Sequence, residues 1–126
     1  MAEDHAAVRT SVVRLLSKSY DVVGTVSDGR ALLEAIDAID HDVLVLDLSL
    51  PVISGIEAAS MLKRAGRPAK IVFITVHNDP DFVRAAQDAG GLGYVLKQQM
   101  NTDLPEAIDK ACAGEYFTSP SVRGLS

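Results

Sequence analysis

The chain has 126 residues, of which 48% are hydrophobic and 23% are charged, a balance typical of one globular domain. Its net charge of −5 disfavours a protein that binds the phosphate backbone of nucleic acids, and its single cysteine excludes an internal disulfide. No apolar run is long enough to cross a membrane, and the first residues lack a signal-peptide pattern. We therefore expect one cytoplasmic domain over residues 1–126, without a membrane partner.

The hydrophobic pattern alternates between helical and strand spacing along the chain. Helices are predicted, with their capping residues, over the segments 6–18, 31–39, 54–65, 78–89 and 101–113. Strands are predicted over the segments 20–26, 42–47, 70–75 and 93–96. The polar segment 114–126 is predicted to be a tail or the start of a linker that is mobile at its end. Strands that alternate with helices indicate a parallel sheet covered by helices on both faces.

Three successive predicted strands end in a polar residue, namely Asp47, Thr75 and Lys97. Because ligands in such folds bind at the carboxyl ends of the strands, we expect these side chains to meet at one edge of the sheet. The acidic pair Glu3 and Asp4 is a candidate for the same edge. Each residue alone has an ordinary interpretation, since Asp47 could be a loop carboxylate and Lys97 a surface lysine.

Together, these side chains indicate phosphoryl chemistry. A carboxylate such as Asp47 can attack a phosphoryl group and form an acyl phosphate. The transferred group carries its charge on its outer oxygens, which the Lys97 ammonium and the Thr75 hydroxyl would bind. Glu3 and Asp4 would supply carboxylate ligands for Mg²⁺, an ion that keeps several of its waters in such sites.

Over nearly its whole length, the chain resembles the receiver domain of two-component response regulators. The matching residues are Glu3 and Asp4, the stretch 47–51 followed by Gly55, then Thr75, and the stretch 93–97. The stretches LDLSLPVISGIE, ITVHND and GYVLK are most similar to the branch that usually carries a LuxR-type helix-turn-helix effector for transcription regulation. The resemblance implies a flavodoxin-like doubly wound α/β fold with strand order 2-1-3-4-5. It also implies that the protein is a signalling switch and not a conventional enzyme.

The resemblance further implies a role for the residues at this edge. Asp47 would be the phosphoacceptor, with a sensor histidine kinase as the phosphoryl donor and with Thr75 and Lys97 contacting the phosphoryl group. Tyr94 would be an aromatic switch that turns inward as Thr75 moves. The ordinary interpretation of Tyr94 is a half-buried packing residue whose hydroxyl lies in water.

A magnesium site is implied by the same resemblance. Asp4, Asp47 and the backbone carbonyl of Ser49 would bind Mg²⁺ directly, and Glu3 would act through a water. Contact with DNA would occur only through an effector domain, which does not follow in this chain. The resemblance is compatible with two assemblies, a homodimer and a strand-exchanged oligomer.

The largest departure from the family pattern is at the start, where only Met1 and Ala2 precede the acidic pair. A hydrophobic first strand of about five residues is expected there, in the middle of the sheet. Its missing aliphatic side chains would forfeit about 5–12 kcal/mol of stability, at roughly 1.5–3 kcal/mol each. Three explanations are open: a chain that starts late, a sheet that closes directly and displaces Glu3 and Asp4, or another chain that fills the gap.

Two other functions are compatible with the sequence. One is a partner-binding receiver that works without phosphorylation and is made inert by the lost strand. The other is an aspartate-nucleophile phosphatase of the haloacid dehalogenase type. Such phosphatases carry an Asp-x-Asp motif whose second carboxylate acts as acid and base, but here Ser49 occupies that second position.

Overall fold

The structure, a computed structural model, describes residues 1–67 and 69–123. Its helices are α1 (Ala6–Leu16), α2 (Gly29–Ala35), α3 (Gly55–Arg64), α4 (Pro80–Asp88), α5 (Met100–Cys112) and α6 (Pro120–Arg123). Its strands are β1 (Leu44–Asp47), β2 (Ile71–Thr75), β3 (Gly91–Leu96) and β4 (Phe117–Thr118), and a 3₁₀ turn covers Lys97–Gln99. Among the described helices, none has the combination of length and apolar character that a membrane span requires.

Side-chain caps fix where several helices begin. The Ser54 hydroxyl accepts a hydrogen bond from the Glu57 N–H at 3.1 Å and so begins α3, as the sequence predicts. The Asp79 carboxylate caps α4, with Pro80 at the first helical position. Asp28 caps α2 by accepting from the Ala31 N–H, so that this helix begins before the predicted residue 31.

The strands form a parallel sheet in the order β1-β2-β3-β4, with helices on both faces. Alternate residues of each strand point to opposite faces, so each strand contributes to two cores. One core packs β1–β3 against α2, α3 and α4, and the other packs them against α1 and α5. This arrangement confirms the predicted doubly wound α/β fold.

The segment 20–26 is not a strand, although its β-branched sequence predicts one. Only Val26 pairs, through an isolated parallel bridge to Ala2, and Ala2 forms a second bridge to Leu46 on β1. A strand requires a neighbour along its length, and here the neighbouring segment supplies only residues 1–3. The segments nevertheless lie in the predicted 2-1-3-4-5 order. The first two positions in that order are represented only by Val26 and Ala2, through isolated bridges.

Residues 1–3, which we call the lead segment, are held from both sides. The Ala2 N–H donates to the Val45 carbonyl at 2.8 Å, and the Asp47 N–H donates to the Ala2 carbonyl at 2.9 Å. On the other side, the Glu3 N–H donates to the Val26 carbonyl at 3.1 Å. The proposed direct closure of the sheet is therefore wrong, because the lead segment occupies the position between its neighbours.

Next to Met1, the rest of the first-strand position is a cavity of about 290 Å³, which we call the strand gap. Its walls are the segments 20–24 and 39–45 together with α2, and Ile108 and Cys112 of α5 also contribute. The walls are mostly apolar, but Asp21, Asp40 and Asp42 also line the gap.

Part of the predicted tail packs against the sheet. Strand β4 pairs in parallel with β3, and the Ser119 N–H donates to the Tyr94 carbonyl at 2.9 Å. The buried Ser119 hydroxyl accepts from the Leu96 N–H at 3.1 Å and donates to the Asp103 carboxylate at 2.8 Å. The mobile end expected for the tail concerns residues 124–126, which lie outside the described residues.

Candidate functional site

The carboxyl edge of the sheet brings Asp47, Lys97 and Glu3 into direct contact. The Lys97 ammonium lies 3.1 Å from Asp47 Oδ2 and 3.1 Å from Glu3 Oε1. Both carboxylates are buried, with relative exposures of 3% for Asp47 and 0% for Glu3. A single lysine thus holds two carboxylates that the chain places 44 positions apart in sequence.

The end of β1 positions the Asp47 carboxylate. Its backbone N–H is bound to Ala2, and the Ser49 N–H donates to Asp47 Oδ1 at 3.1 Å. The loop after β1 returns tightly, since a Cβ atom at Gly55 would overlap the carbonyl oxygen of Asp47. Glycine at position 55 is therefore required for α3 to begin beside the site.

The charges at this edge divide the two carboxylates into different roles. Burial raises the pKa of Glu3, and the adjacent Asp47 carboxylate raises it further. Burial also acts to raise the pKa of Asp47, but hydrogen bonds with Glu3, Ser49 and Lys97 outweigh it and leave that pKa below its usual value. Burial acts to lower the pKa of Lys97, but its partners Asp47 and Glu3 outweigh burial and raise that pKa overall. Asp47 is thus the carboxylate that is kept ionised.

One carboxylate oxygen at the site lacks a partner. Glu3 Oε2 is buried and has no hydrogen-bond donor among the described residues. Asp4 is partly exposed, and its Oδ1 atom lies 3.3 Å from the Nδ1 atom of His5. A buried carboxylate oxygen without a donor is costly, and a cation would relieve the cost. The oxygen-rich donor set of Glu3, Asp4 and Asp47 fits a hard divalent ion.

The Thr75 hydroxyl belongs to a second set of contacts beside this group. It accepts from the His77 N–H at 3.0 Å, and among the described residues it forms no hydrogen bond with Asp47. The Tyr94 hydroxyl donates to the His77 carbonyl at 2.7 Å, and the Tyr94 side chain is buried. The interpretation of Tyr94 as a half-buried residue with its hydroxyl in water is therefore wrong. Burial raises the pKa of Tyr94 to about 12, so the phenol remains a donor.

His77 connects these residues, although no sequence motif marks it as a site residue. Its Nε2 atom lies 3.4 Å from the Ser49 hydroxyl, and its ring stacks on Phe82 with centroids 4.3 Å apart. Its backbone also bonds to Thr75 and Tyr94. Sequence spacing carries no signal for such a role, because His77 contacts residues from separate parts of the chain: the loop after β1, helix α4 and strand β3.

Comparison with known proteins identifies the family. The sequence profile described as the response regulator receiver domain matches residues 1–109. The chain belongs to the response regulator receiver family. Membership of this family accounts for the parallel α/β fold.

Relatives of this receiver domain belong to the NarL/LuxR type. The nitrate/nitrite response regulator protein NarL of Escherichia coli (strain K12) is 34% identical over 124 residues, which are 97% of this chain and 57% of that protein. The response regulator GacA of Pseudomonas aeruginosa is 31% identical over 124 residues, again 97% of this chain and 58% of that protein. The receiver domain thus spans less than two thirds of the length of these relatives.

Solved structures confirm the fold. The isolated REC domain of RcsB from Salmonella enterica serovar Typhimurium, solved with the phosphomimetic BeF₃⁻, matches with a TM-score of 0.88 and 34% identity over 98% of this chain and 94% of that chain. A LuxR-family two-component response regulator from Aurantimonas sp. matches with a TM-score of 0.92 and 31% identity over 98% of this chain and 89% of that chain. The predicted LuxR-type branch is confirmed by these relatives. Receiver domains of NarL-type regulators are signalling domains.

Proposed function

We propose that this receiver domain is a switch controlled by phosphorylation of Asp47, with a sensor histidine kinase as the donor and Mg²⁺ as the cofactor. The observation that carries the proposal is the contact between the Asp47 carboxylate and the Lys97 ammonium at 3.1 Å. An ionised carboxylate at a sheet edge, beside a cation and a backbone N–H donor, is arranged for phosphoryl transfer.

The reaction we propose is a single displacement at phosphorus. A carboxylate oxygen of Asp47 forms a bond to phosphorus while the phosphorus–nitrogen bond of a phosphohistidine breaks. The electron pair returns to the imidazole nitrogen of the donor, and that imidazole takes up a proton from solvent. The Lys97 ammonium and the Ser49 N–H, both 3.1 Å from Asp47 oxygens, are placed to bind the charge that develops on the phosphoryl oxygens.

Receiver domains bind Mg²⁺ at an acidic pocket, and we propose that the pocket here uses Asp4, Asp47 and the Ser49 carbonyl, with Glu3 acting through a water. The partnerless Glu3 Oε2 atom supports a cation at this position. When bound, the ion would neutralise charge on the carboxylates and on the incoming phosphoryl oxygens.

The response to phosphorylation would pass through Thr75 and Tyr94. A phosphoryl oxygen on Asp47 would accept a hydrogen bond from the Thr75 O–H and so draw this side chain, which now accepts from the His77 N–H, toward the phosphoryl group. Movement of Thr75 would shift the His77 backbone, whose carbonyl holds the Tyr94 hydroxyl. We therefore propose that phosphorylation changes the face around α4 and β3.

We also propose how this domain is placed in a longer protein and how it assembles. Residues 1–126 would form the receiver domain of a cytoplasmic protein, with residues 114–126 including the start of a linker. DNA would be contacted by an effector domain outside this chain, and a homodimer or a strand-exchanged oligomer would be the assembled form.

Phosphorylation with acetyl phosphate and Mg²⁺, read by intact-protein mass spectrometry, tests the proposed function. We expect one phosphoryl group on the wild type and none on Asp47→Asn, while Asp42→Asn, which changes an exposed aspartate, is modified normally. No modification of a folded wild type would contradict the proposal and favour the phosphorylation-independent partner-binding module. Turnover of a simple phosphomonoester would instead favour the aspartate-nucleophile phosphatase.

A further inference from the structure

The strand gap lies in line with the lead segment, between two walls of backbone. Ala2 forms parallel bridges to Leu46 on one side and to Val26 on the other. When the parallel register is counted back from these bridges, the strand positions ahead of Met1 face residues 41–44 and residues 21–24. All residues of both segments line the gap. The gap therefore has the length and the two walls that a strand of about four residues needs.

Backbone groups on both walls are oriented to bind such a strand. The lead segment already donates to the carbonyls of Val45 and Gly24, at 2.8 Å and 3.0 Å. In a parallel ladder this pattern repeats every two residues. An added strand would therefore accept from the N–H groups of Val45 and Gly24 and donate to the carbonyls of Val43 and Val22. A small apolar molecule could not bind these polar groups, so the backbone favours a peptide as the occupant.

The side chains around the gap are apolar on both faces of the sheet. Leu32 and Ile36 of α2 pack in the core on one face, and Leu16 and Ile108 pack in the core on the other face. A strand that lies between two cores has apolar side chains on both of its faces and reads as a continuous hydrophobic run. The occupant that fits the gap thus has consecutive aliphatic residues and not an alternating pattern.

Three exposed carboxylates line the end of the gap that is distant from the lead segment. They belong to Asp21 at the start of one wall and to Asp40 and Asp42 at the start of the other. No lysine or arginine of the described residues lines the gap. Because the added strand would run parallel to β1, its amino-terminal end would face these carboxylates. Lysine or arginine at that end of the occupant would complement their charge.

We propose that the strand gap binds an extended segment of a partner protein, in which lysine or arginine residues precede three consecutive aliphatic residues. The segment would add a parallel strand between the two walls. Its backbone hydrogen bonds would provide affinity, and its aliphatic and cationic side chains would provide specificity. The inference goes beyond the proposed function, because binding requires neither Mg²⁺ nor a phosphoryl group.

Titration of the isotope-labelled chain with the peptide acetyl-Lys-Lys-Val-Ile-Val-amide, followed by nuclear magnetic resonance, tests the site. At saturation, we expect the amide protons of Gly24 and Val45 to exchange with solvent at least about tenfold more slowly than in the free chain, because the peptide carbonyls accept from them. The amide proton of Val23 is the internal control. Backbone alternation directs it away from the gap, so its exchange rate should not change.

Altered peptides and an altered wall test the specificity. A peptide with glutamate in place of both lysines should bind at least about tenfold more weakly. A peptide with proline in place of isoleucine should not bind, because it lacks the N–H that donates to the Val22 carbonyl. Asp42→Asn should weaken binding of the lysine peptide by about two- to fivefold, as expected for an exposed charge. The matched control is Asp88→Asn, at an exposed position of α4, which should not change the affinity.

Three results would overturn the inference. Equal affinities for the lysine, glutamate and proline peptides would mean that the gap accepts apolar groups without adding a strand. Self-association of the chain that the peptide does not displace, measured by sedimentation, would assign the gap to a second copy. A chain extended ahead of Met1 by five branched aliphatic residues fills the gap itself and should not bind the peptide. Unchanged binding to that extended chain would place the peptide elsewhere on the surface.

Discussion

The first-strand position of the sheet is well formed at one end and open at the other. At the carboxyl edge, the lead segment is hydrogen-bonded to both neighbouring segments, and Glu3 is fully buried beside Lys97. On the other side of Met1 lies the strand gap of about 290 Å³. We therefore expect the site to depend on residues 1–3, and we expect the free energy of unfolding to depend on how much of the first-strand position is filled. Substitutions at the two ends should therefore have different consequences.

The largest effect is expected from filling the strand gap. A chain extended ahead of Met1 by five branched aliphatic residues should gain about 3–6 kcal/mol in unfolding free energy, from two buried side chains at about 1.5–3 kcal/mol each. The melting temperature should rise by roughly 10 °C or more. Denaturant titration followed by circular dichroism measures the gain, with a glycine–serine extension of equal length as the control. Equal stability of the two extended chains would show that the gap does not accept a strand.

A smaller effect is expected from breaking the well-formed end. Ala2→Pro removes the N–H that donates to Val45 and adds atoms at a fully buried position, so it should cost about 2–4 kcal/mol. Mg²⁺ affinity should fall as well, because Glu3 and Asp4 lose their anchor. The matched control is Ala6→Pro, at the exposed first position of α1, where proline is tolerated. If the two variants were equally stable and bound Mg²⁺ equally well, the lead segment would not position the site.

The smallest effect concerns the charge of Glu3. Its raised pKa means that the folded protein favours protonated Glu3, so this contribution to stability is present below its ordinary pKa of 4.5 and is lost as pH rises through the raised value. Glu3→Gln should therefore be more stable than wild type at pH 7 without Mg²⁺, by an amount on the order of 1 kcal/mol, and the advantage should shrink toward pH 4.

Thermal melting at several pH values measures this difference, and Glu34→Gln, at an exposed position of α2, is the control. The same Glu3→Gln variant should bind Mg²⁺ more weakly. A variant less stable than wild type at every pH would mean that the Glu3 charge is stabilised by Lys97 more than it is opposed by burial and by Asp47.

Sequence reasoning succeeds where a pattern is local or where a general rule of fold topology applies. The runs that end at Asp47 and Thr75 are apolar on both faces, and both form strands buried on both sides. Ser54 caps α3 as its spacing to Glu57 predicts. The contact between Asp47 and Lys97 follows from the rule that parallel strands end at one edge.

Sequence reasoning fails where structure depends on a distant neighbour. The segment 20–26 has strand composition but lacks a paired partner along most of its length. Phe117–Thr118 has too few residues to show a pattern, and it is a strand because it lies along β3. His5 and His77 have no metal-like spacing to other histidines, yet the turn into α1 and the loop after β2 place them at the site.

Ser119 directly follows β4 and connects it with two other parts of the chain. Its hydroxyl forms hydrogen bonds with the end of β3 and with Asp103 in the first turn of α5. The residue it bonds on β3 is Leu96, the immediate neighbour of Lys97. One buried hydroxyl therefore links the segment 117–119 to the residue next to Lys97 at the carboxyl edge of the sheet. A movement of Lys97 would therefore be transmitted to the segment 117–119 through only Leu96 and the buried Ser119 hydroxyl.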